Sequence, residues 1–386
     1  MRKTKGLAIL GSTGSVGRST LDILSKAKEG FNVTGLSTNK NITLLKEQVK
    51  QFSPKFVAIR DSLSADEFRS LNSFPGKVFS GLEGMEELAS ARGTDVVVMA
   101  ISGAEALKPF LSAIRSSKTV ILANKEALVM AGSLIMEEVR RYKTRILPVD
   151  SEQSALFQLL DDAYTEDVHK VYITCSGGPF LNWSKDKIYS ASPGDTLKHP
   201  TWQMGKKITV DSATLANKAF EVIEAHWLFN VPLDKIKVVI HPQSLIHGMV
   251  EYSDGRLFAS MHKPDMRIPI SYALGLKSFS REDLTTDFTS LGPLTFQDID
   301  EDRFPLFRII IGSLKLKNGP LIATVANDIA VDAFLKGVIK FGQIPEVVFA
   351  ALSSIEEEPR EGWEHIFYLQ DKTKQVSQEI IEGLIK

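Results

Sequence analysis

Over the first 150 residues, short apolar runs alternate with amphipathic stretches. The runs lie at 7–10, 33–36, 56–59, 96–101, 120–122 and 146–149, and they are nearly continuous and rich in β-branched residues. Continuous rather than alternating hydrophobicity marks strands covered on both faces. The stretches between them, 104–116 for example, carry helical spacing, and the alternation predicts an α/β fold that begins with a doubly wound, Rossmann-like parallel sheet. The pattern changes after Asp150. Residues 169–174 and 237–240 read as strands, and 247–252 and 256–261 flank Ser253-Asp254-Gly255, a hairpin signal with glycine in the turn. A central α/β domain with an open mixed sheet is expected there. Residues 290–305 are rich in Pro, Gly and acidic side chains and read as a linker. From about 304 onward only helical periodicity remains, with breaks near Asn318-Gly319-Pro320 and Glu358-Pro359, so a C-terminal helical bundle is predicted.

Composition narrows the class. A chain of 386 residues with 43% hydrophobic and 24% charged residues is globular, with room for two or three domains. Its net charge of -1 offers no nucleic-acid-binding surface, so any anion must be held by local groups. The single cysteine, Cys175, rules out an intramolecular disulfide and a cysteine-based zinc site. No apolar leader or long apolar run is visible, and a soluble cytoplasmic protein without membrane partners is expected.

Candidate chemistry begins at the first strand. Gly11-Ser12-Thr13-Gly14-Ser15-Val16-Gly17 follows that strand and opens a helix, a context in which backbone N–H groups can meet a pyrophosphate. The spacing is GxxGxxG rather than GxGxxG. The second strand ends in Ser37-Thr38-Asn39-Lys40-Asn41, without the carboxylate that usually bonds an NAD ribose. Lys40 and its polar neighbours suit a 2′-phosphate instead, so NADPH is the expected nucleotide.

Carboxylates mark a second centre. Asp150 and Glu152 follow the last strand of the first region, and an extended backbone there would turn both to one side. A helix N-terminus favouring acidic residues is the other reading. In Asp211-Ser212-Ala213-Thr214 and the helix after it, Asn217, Glu221 and Glu224 share one face with Lys218 beside them. Ser212 is expected at a helix N-terminus able to meet a phosphate. Cys175-Ser176-Gly177-Gly178-Pro179 and Ala123-Asn124-Lys125-Glu126 each follow a strand, where ligands of open α/β sheets gather. Gly194 to Gly205, with His199 and Trp202 between them, suggests a lid. His226, His241 and His247 read as packing or local hydrogen bonding.

These motifs, in order from about residue 6 to the C-terminal helices, resemble the reductoisomerase of the non-mevalonate isoprenoid pathway. The match includes Asn124-Lys125-Glu126, Val149-Asp150-Ser151-Glu152, Ser176-Gly177-Gly178-Pro179-Phe180, the run from His199 to Gly205, the run from Val210 to Lys218 with Glu221, His241-Pro242-Gln243-Ser244 and Gly292-Pro293-Leu294-Thr295-Phe296. The resemblance implies an NADPH-binding domain at 1–150, a catalytic domain at 151–280, a linker at 281–303 and a helical domain at 304–386. It implies conversion of 1-deoxy-D-xylulose 5-phosphate into 2-C-methyl-D-erythritol 4-phosphate with NADPH and Mg²⁺, Mn²⁺ or Co²⁺, by a homodimer. Asp150, Glu152 and Glu221 would be metal ligands. Lys125 and Ser151 would contact the substrate hydroxyls. Ser176, His199, Trp202, Ser212, Asn217 and Lys218 would grip or cover the sugar phosphate, with Glu152 and Glu221 close to it. Thr13, Gly14, Ser15, Val16, Asn39, Lys40, Asn41, Asn124, Glu126 and Gly205 would meet the nucleotide. Two departures are Asn39 where the family commonly has Gly, and Asp328 where it has Glu. The rival readings are a semialdehyde dehydrogenase, which would need Cys175 as nucleophile, and a non-enzymatic NADP sensor.

Overall fold

A computed structural model describes residues 4–27, 30–71, 74–160, 167–202, 204–276, 282–356 and 361–385. The chain gathers into two compact units. The first comprises 1–124, 135–154 and 265–284, and the second 125–134, 155–264 and 285–386.

The first unit is built on seven strands: β1 (Lys5–Leu10), β2 (Phe31–Thr38), β3 (Phe56–Ile59), β4 (Lys77–Ser80), β5 (Val96–Met99), β6 (Thr119–Leu122) and β7 (Ile146–Pro148). They form one parallel sheet in the order β4-β3-β2-β1-β5-β6-β7. The order reverses at β1, so the crevice beyond the carboxyl ends of β1 and β5 is where such a sheet receives a ligand. Leu7, Ala8, Ile9 and Leu10 of β1 are fully buried, as are Val97, Val98 and Met99 of β5, which accounts for the unbroken apolar runs. The edge strand β4 has no such run and no counterpart in the hydrophobic pattern. Lys77-Val78-Phe79-Ser80 buries only Phe79.

The second unit carries β8 (Val168–Cys175), β9 (Ile236–Ile240), β10 (Ile246–Tyr252) and β11 (Leu257–Met261). Their order is β11-β10-β8-β9, antiparallel except for the β8–β9 pair, so this is the mixed sheet expected. The second half of the helix Ser151–Leu160 packs on it. Gly248 leaves little room for a side chain, since a Cβ there would lie 3.1 Å from Leu156 and 3.2 Å from Ala155. The helix Ala216–Phe229 carries the buried apolar positions Ala219, Phe220, Val222 and Ile223. Helices Pro305–Ser313, Gly319–Leu335, Gln343–Ser354 and Trp363–Ile385 follow. The break at Asn318 is present, while the one at 358–359 lies outside the described residues. The stretch read as a linker is partly fastened to the mixed sheet. Gln297 bridges Ile240 of β9, and Gln243 hydrogen-bonds both Pro293 and Thr295.

Candidate functional site

In the first unit, the glycine loop joins β1 to the helix Ser15–Lys26, with Gly14 as its N-cap. Gly17 has to be glycine because a Cβ would lie 2.3 Å from the Gly11 carbonyl oxygen. Gly11 itself adopts φ +91°, which only glycine takes without strain. The loop is tied to the end of β2. Gly11 N–H donates to Ser37 Oγ (2.8 Å), Ser12 Oγ reaches Gln48 Oε1 (2.7 Å), and the Thr13 and Thr38 hydroxyls lie 2.7 Å apart. The buried Gln48 was not legible as part of this loop, because in sequence it is only one polar position on a helix.

Beyond β2 the roles divide. Asn41 caps the helix Ile42–Phe52, accepting from Leu44 N–H, while Lys40 remains largely exposed. A carboxylate stands near after all: Asp61, from the end of β3, lies 3.7 Å from Lys40. Its other oxygen caps the helix Ser62–Ser70 through Ser64, and that hydrogen bonding holds its pKa below the ordinary aspartate value. Asn124 is buried and donates to the Ile101 and Gly103 carbonyls, joining the ends of β5 and β6.

The extended geometry considered for Asp150 and Glu152 is corrected by the structure. β7 ends at Pro148, and Ser151 and Glu152 already lie in the first turn of the helix Ser151–Leu160. Asp150 accepts the first helical bond, from Ser154 N–H (2.8 Å), and Ser151 Oγ donates to Glu152 Oε2. Two carboxylates therefore sit at a helix start, where the partial positive charge of the free N–H groups favours them.

In the second unit, Lys125, Asn217, Lys218 and Glu221 meet. Lys125 Nζ lies 3.0 Å from Glu221 Oε1, Lys218 Nζ 2.6 Å from Oε2, and Asn217 Nδ2 donates to Oε1 at 2.5 Å. The side chains of both lysines are 5% exposed and that of Glu221 1%. Spacing along the helix explains two of these partners, at i+3 and i+4. Lys125 comes from 96 residues away.

Ser212 is the second correction. It lies in the last turn of the helix Lys206–Thr214, and it is Asn217 and Lys218 that occupy the first turn of the next helix. Leu215 between them is left-handed, at φ 60°. The loop after β8 packs against this junction. A Cβ on Gly178 would lie 2.8 Å from the Ser212 carbonyl oxygen.

Ser176 Oγ is 3.1 Å from His199 Nε2. His199 Nδ1 accepts from the backbone N–H of Trp202 (2.9 Å) and Thr201 (3.2 Å), so Nε2 carries the proton and donates to Ser176. Burial, and then the Lys218 charge, lower the His199 pKa to about 4. The unfolded pKa is about 6.5. Between these values the unfolded chain takes up a proton that the folded chain refuses. The stabilisation from a neutral His199 is therefore complete above the unfolded pKa and declines as pH falls through that window. NMR titration of this imidazole is expected to give a midpoint near 4, whereas one at or above the ordinary histidine value of about 6.5 contradicts the geometry.

Trp202 is half-buried, its ring 6.1 Å edge-on from His247. Gln203 lies outside the described residues. Gly194 is inside the short helix Pro193–Thr196, so among the described residues between the two glycines only 197–202 and 204–205 are irregular. Gly205 caps the helix Lys206–Thr214. Glu126, expected at the nucleotide, pairs with Lys207 at 2.7 Å. His241 and His247 bond the Thr295 and His262 carbonyls, and His226 lies against Trp227, as local packing predicts.

Three family models match the chain: 1-deoxy-D-xylulose 5-phosphate reductoisomerase at 7–132, its C-terminal domain at 146–229, and a further DXP reductoisomerase C-terminal domain at 261–376. The 1-deoxy-D-xylulose 5-phosphate reductoisomerase of Prosthecochloris aestuarii is 47% identical over 91% of this chain and 93% of its own. That of Chlorobium phaeobacteroides is 48% identical over 89% and 91%. A crystal structure of DOX-P reductoisomerase in complex with NADPH, fosmidomycin and magnesium superposes with TM-score 0.92 at 33% identity, covering 98% of this chain and 99% of that one. The Zymomonas mobilis enzyme in complex with NADPH gives 0.88 at 36% identity, covering 98% and 100%.

Proposed function

The chain belongs to the 1-deoxy-D-xylulose 5-phosphate reductoisomerase family, and from that premise we infer which of its residues carry the reaction. It is an NADPH-dependent oxidoreductase that converts 1-deoxy-D-xylulose 5-phosphate into 2-C-methyl-D-erythritol 4-phosphate in isoprenoid precursor biosynthesis. The semialdehyde dehydrogenase reading is not favoured. Cys175 is buried at the end of β8, and a nucleophilic thiolate needs access.

The observation that carries the residue assignment is the burial of Lys125, Lys218 and Glu221 together. Charges held away from water cost several kcal/mol each, a cost that a binding site for charged ligands accounts for. Lys218, Asn217, Ser212 and Ser176, with the neutral His199, grip the sugar phosphate. Lys125 and Ser151 hydrogen-bond its hydroxyls, and Trp202 covers it and excludes water. Asp150, Glu152 and Glu221 hold one divalent cation, Mg²⁺, Mn²⁺ or Co²⁺. Carboxylate oxygens are the donors that a hard divalent ion takes, and one of the three carboxylates, Glu221, is fully buried. Once bound, that ion supplies Lewis acidity to the substrate oxygens.

Thr13, Gly14, Ser15 and Val16 receive the pyrophosphate, Asn39, Lys40 and Asn41 the 2′-phosphate, and Asn124, Glu126 and Gly205 the remaining nucleotide. Residues 1–150 form the NADPH domain, 151–280 the catalytic domain, 281–303 the connection and 304–386 the helical domain. The working form is a cytoplasmic homodimer. Among the described residues, no helix is long and apolar enough to cross a membrane.

Steady-state turnover followed by NADPH absorbance tests this reading. NADPH should be consumed only when the sugar phosphate and a divalent cation are both present. Lys40→Ala should lose about 1.5–3 kcal/mol of a charge-assisted contact, raising the KM for NADPH roughly ten- to a hundred-fold or more. The KM for NADH should not move. Equal KM values for NADH and NADPH in the parent protein would remove the 2′-phosphate assignment.

A further inference from the structure

Lys207 lies in the first turn of the helix Lys206–Thr214 and has no part in the reaction as proposed above. Its Nζ lies 2.7 Å from Glu126 Oε1, 2.8 Å from Asp211 Oδ2 and 3.0 Å from Asp328 Oδ1. The Lys207 and Asp328 side chains are each 20% exposed, Glu126 11% and Asp211 3%. Asn327 Nδ2 donates to the other oxygen of Asp211 at 2.8 Å. An ammonium group has three protons to place, and here it hydrogen-bonds Glu126 and Asp211 and lies at ion-pair distance from Asp328, three carboxylates from separate segments. Burial works against the Lys207 charge, but the three carboxylates outweigh it and hold its pKa well above the ordinary lysine value. Burial pushes the Glu126 carboxyl up, and Lys207, a backbone hydrogen bond and Lys125 together hold it below the ordinary value.

The carboxylates' neighbours give this hub its meaning. Glu126 directly follows Lys125, and Asp211 directly precedes Ser212. Asp328 lies on the helix Gly319–Leu335, whose first turn and core-facing residues are buried. We propose that Lys207 is a positioning residue for the sugar phosphate. Through Glu126 it fixes the helix start that presents Lys125, through Asp211 the helix end that presents Ser212, and through Asp328 it anchors both to the C-terminal helices. The proposal rests on the assignment of Lys125 and Ser212 to the substrate. A general packing role would not explain an ammonium here, because an apolar side chain of similar volume serves that purpose without gathering three carboxylates, two of them buried.

The test compares Lys207→Met with Asp328→Asn, the second chosen because it keeps the ammonium, the side-chain shape and two of the three anchors. Lys207→Met is expected to raise the KM for 1-deoxy-D-xylulose 5-phosphate about tenfold or more, and Asp328→Asn about threefold. Asp328→Asn should leave the KM for NADPH within about twofold and retain the parent's circular dichroism. The double variant should be no worse than Lys207→Met alone, since the coupling has already been lost. If Lys207→Met does not fold, Asp328→Asn decides alone. A folded Asp328→Asn protein with the parent's substrate KM, or additive effects in the double variant, overturns the proposal. Failure of the parent to turn over the sugar phosphate would instead overturn the functional assignment on which it rests.

Discussion

Glu221→Gln is expected to lower kcat by two orders of magnitude or more while leaving NADPH binding close to the parent's. Glu221 is the buried carboxylate on which Lys125, Lys218 and Asn217 converge. Glutamine keeps its shape and one acceptor oxygen but removes the negative charge, so two buried ammonium groups lose their common partner and the divalent cation loses one of its three proposed ligands. Lewis-acid stabilisation is worth several kcal/mol, and each 1.36 kcal/mol is a factor of ten in rate. Asp150→Asn and Glu152→Gln should act in the same direction, because a neutral carboxamide attracts a divalent cation less than a carboxylate does. Calorimetric titration with Mg²⁺ should show weakened metal binding in all three variants. The proposed NADPH contacts are the glycine loop and Lys40, which none of these substitutions touches. A variant that turns over near the parent rate with the same Mg²⁺ dependence would remove its residue from the metal site.

Lys218→Ala should have the next largest effect, in two separable parts. Catalytically, losing the ammonium from a charge-assisted contact with phosphate should lower kcat/KM roughly ten- to a hundred-fold. The loss should fall mostly on phosphorylated substrate, and an analogue without the phosphate should bind parent and variant nearly alike. Structurally, Glu221 loses one of its two buried lysines, and breaking such a pair costs about 3–5 kcal/mol where the remaining charge is uncompensated. Lys125 still faces Glu221 at 3.0 Å, so the measured destabilisation should sit at the lower end of that range. A substitution that costs stability but leaves kcat/KM unchanged would make Lys218 a partner of Glu221 and nothing more.

Much of this site was legible because its chemistry is local in sequence. The glycine loop, the Asn217, Lys218 and Glu221 helix face, and the Ser176-Gly177-Gly178 turn each lie within a few residues, where helical or strand period decides geometry. The parallel sheet could be read because its central strands are buried on both faces, whereas the edge strand Lys77–Ser80 buries one residue and left no pattern. Boundaries were harder. Asp150 to Glu152 could be extended or helical on local grounds, and Ser154 N–H bonding to the Asp150 carbonyl decides for the helix. Local spacing puts Ser212 at a helix start, because the left-handed Leu215, which separates two helices, is an apolar residue that carries no turn signal. Long-range charge partners were not legible at all. Nothing near Lys125 names Glu221, and nothing near Lys207 names Glu126 and Asp328.

The central claim is that one chain both rearranges the carbon skeleton and reduces it. The most direct measurement is product analysis by carbon NMR of the parent protein incubated with 1-deoxy-D-xylulose 5-phosphate, NADPH and Mg²⁺. The expected result is branched 2-C-methyl-D-erythritol 4-phosphate, formed in equal amount to the NADPH consumed and abolished by EDTA. An unbranched reduced sugar phosphate, or product formed at the parent rate in EDTA, would contradict it.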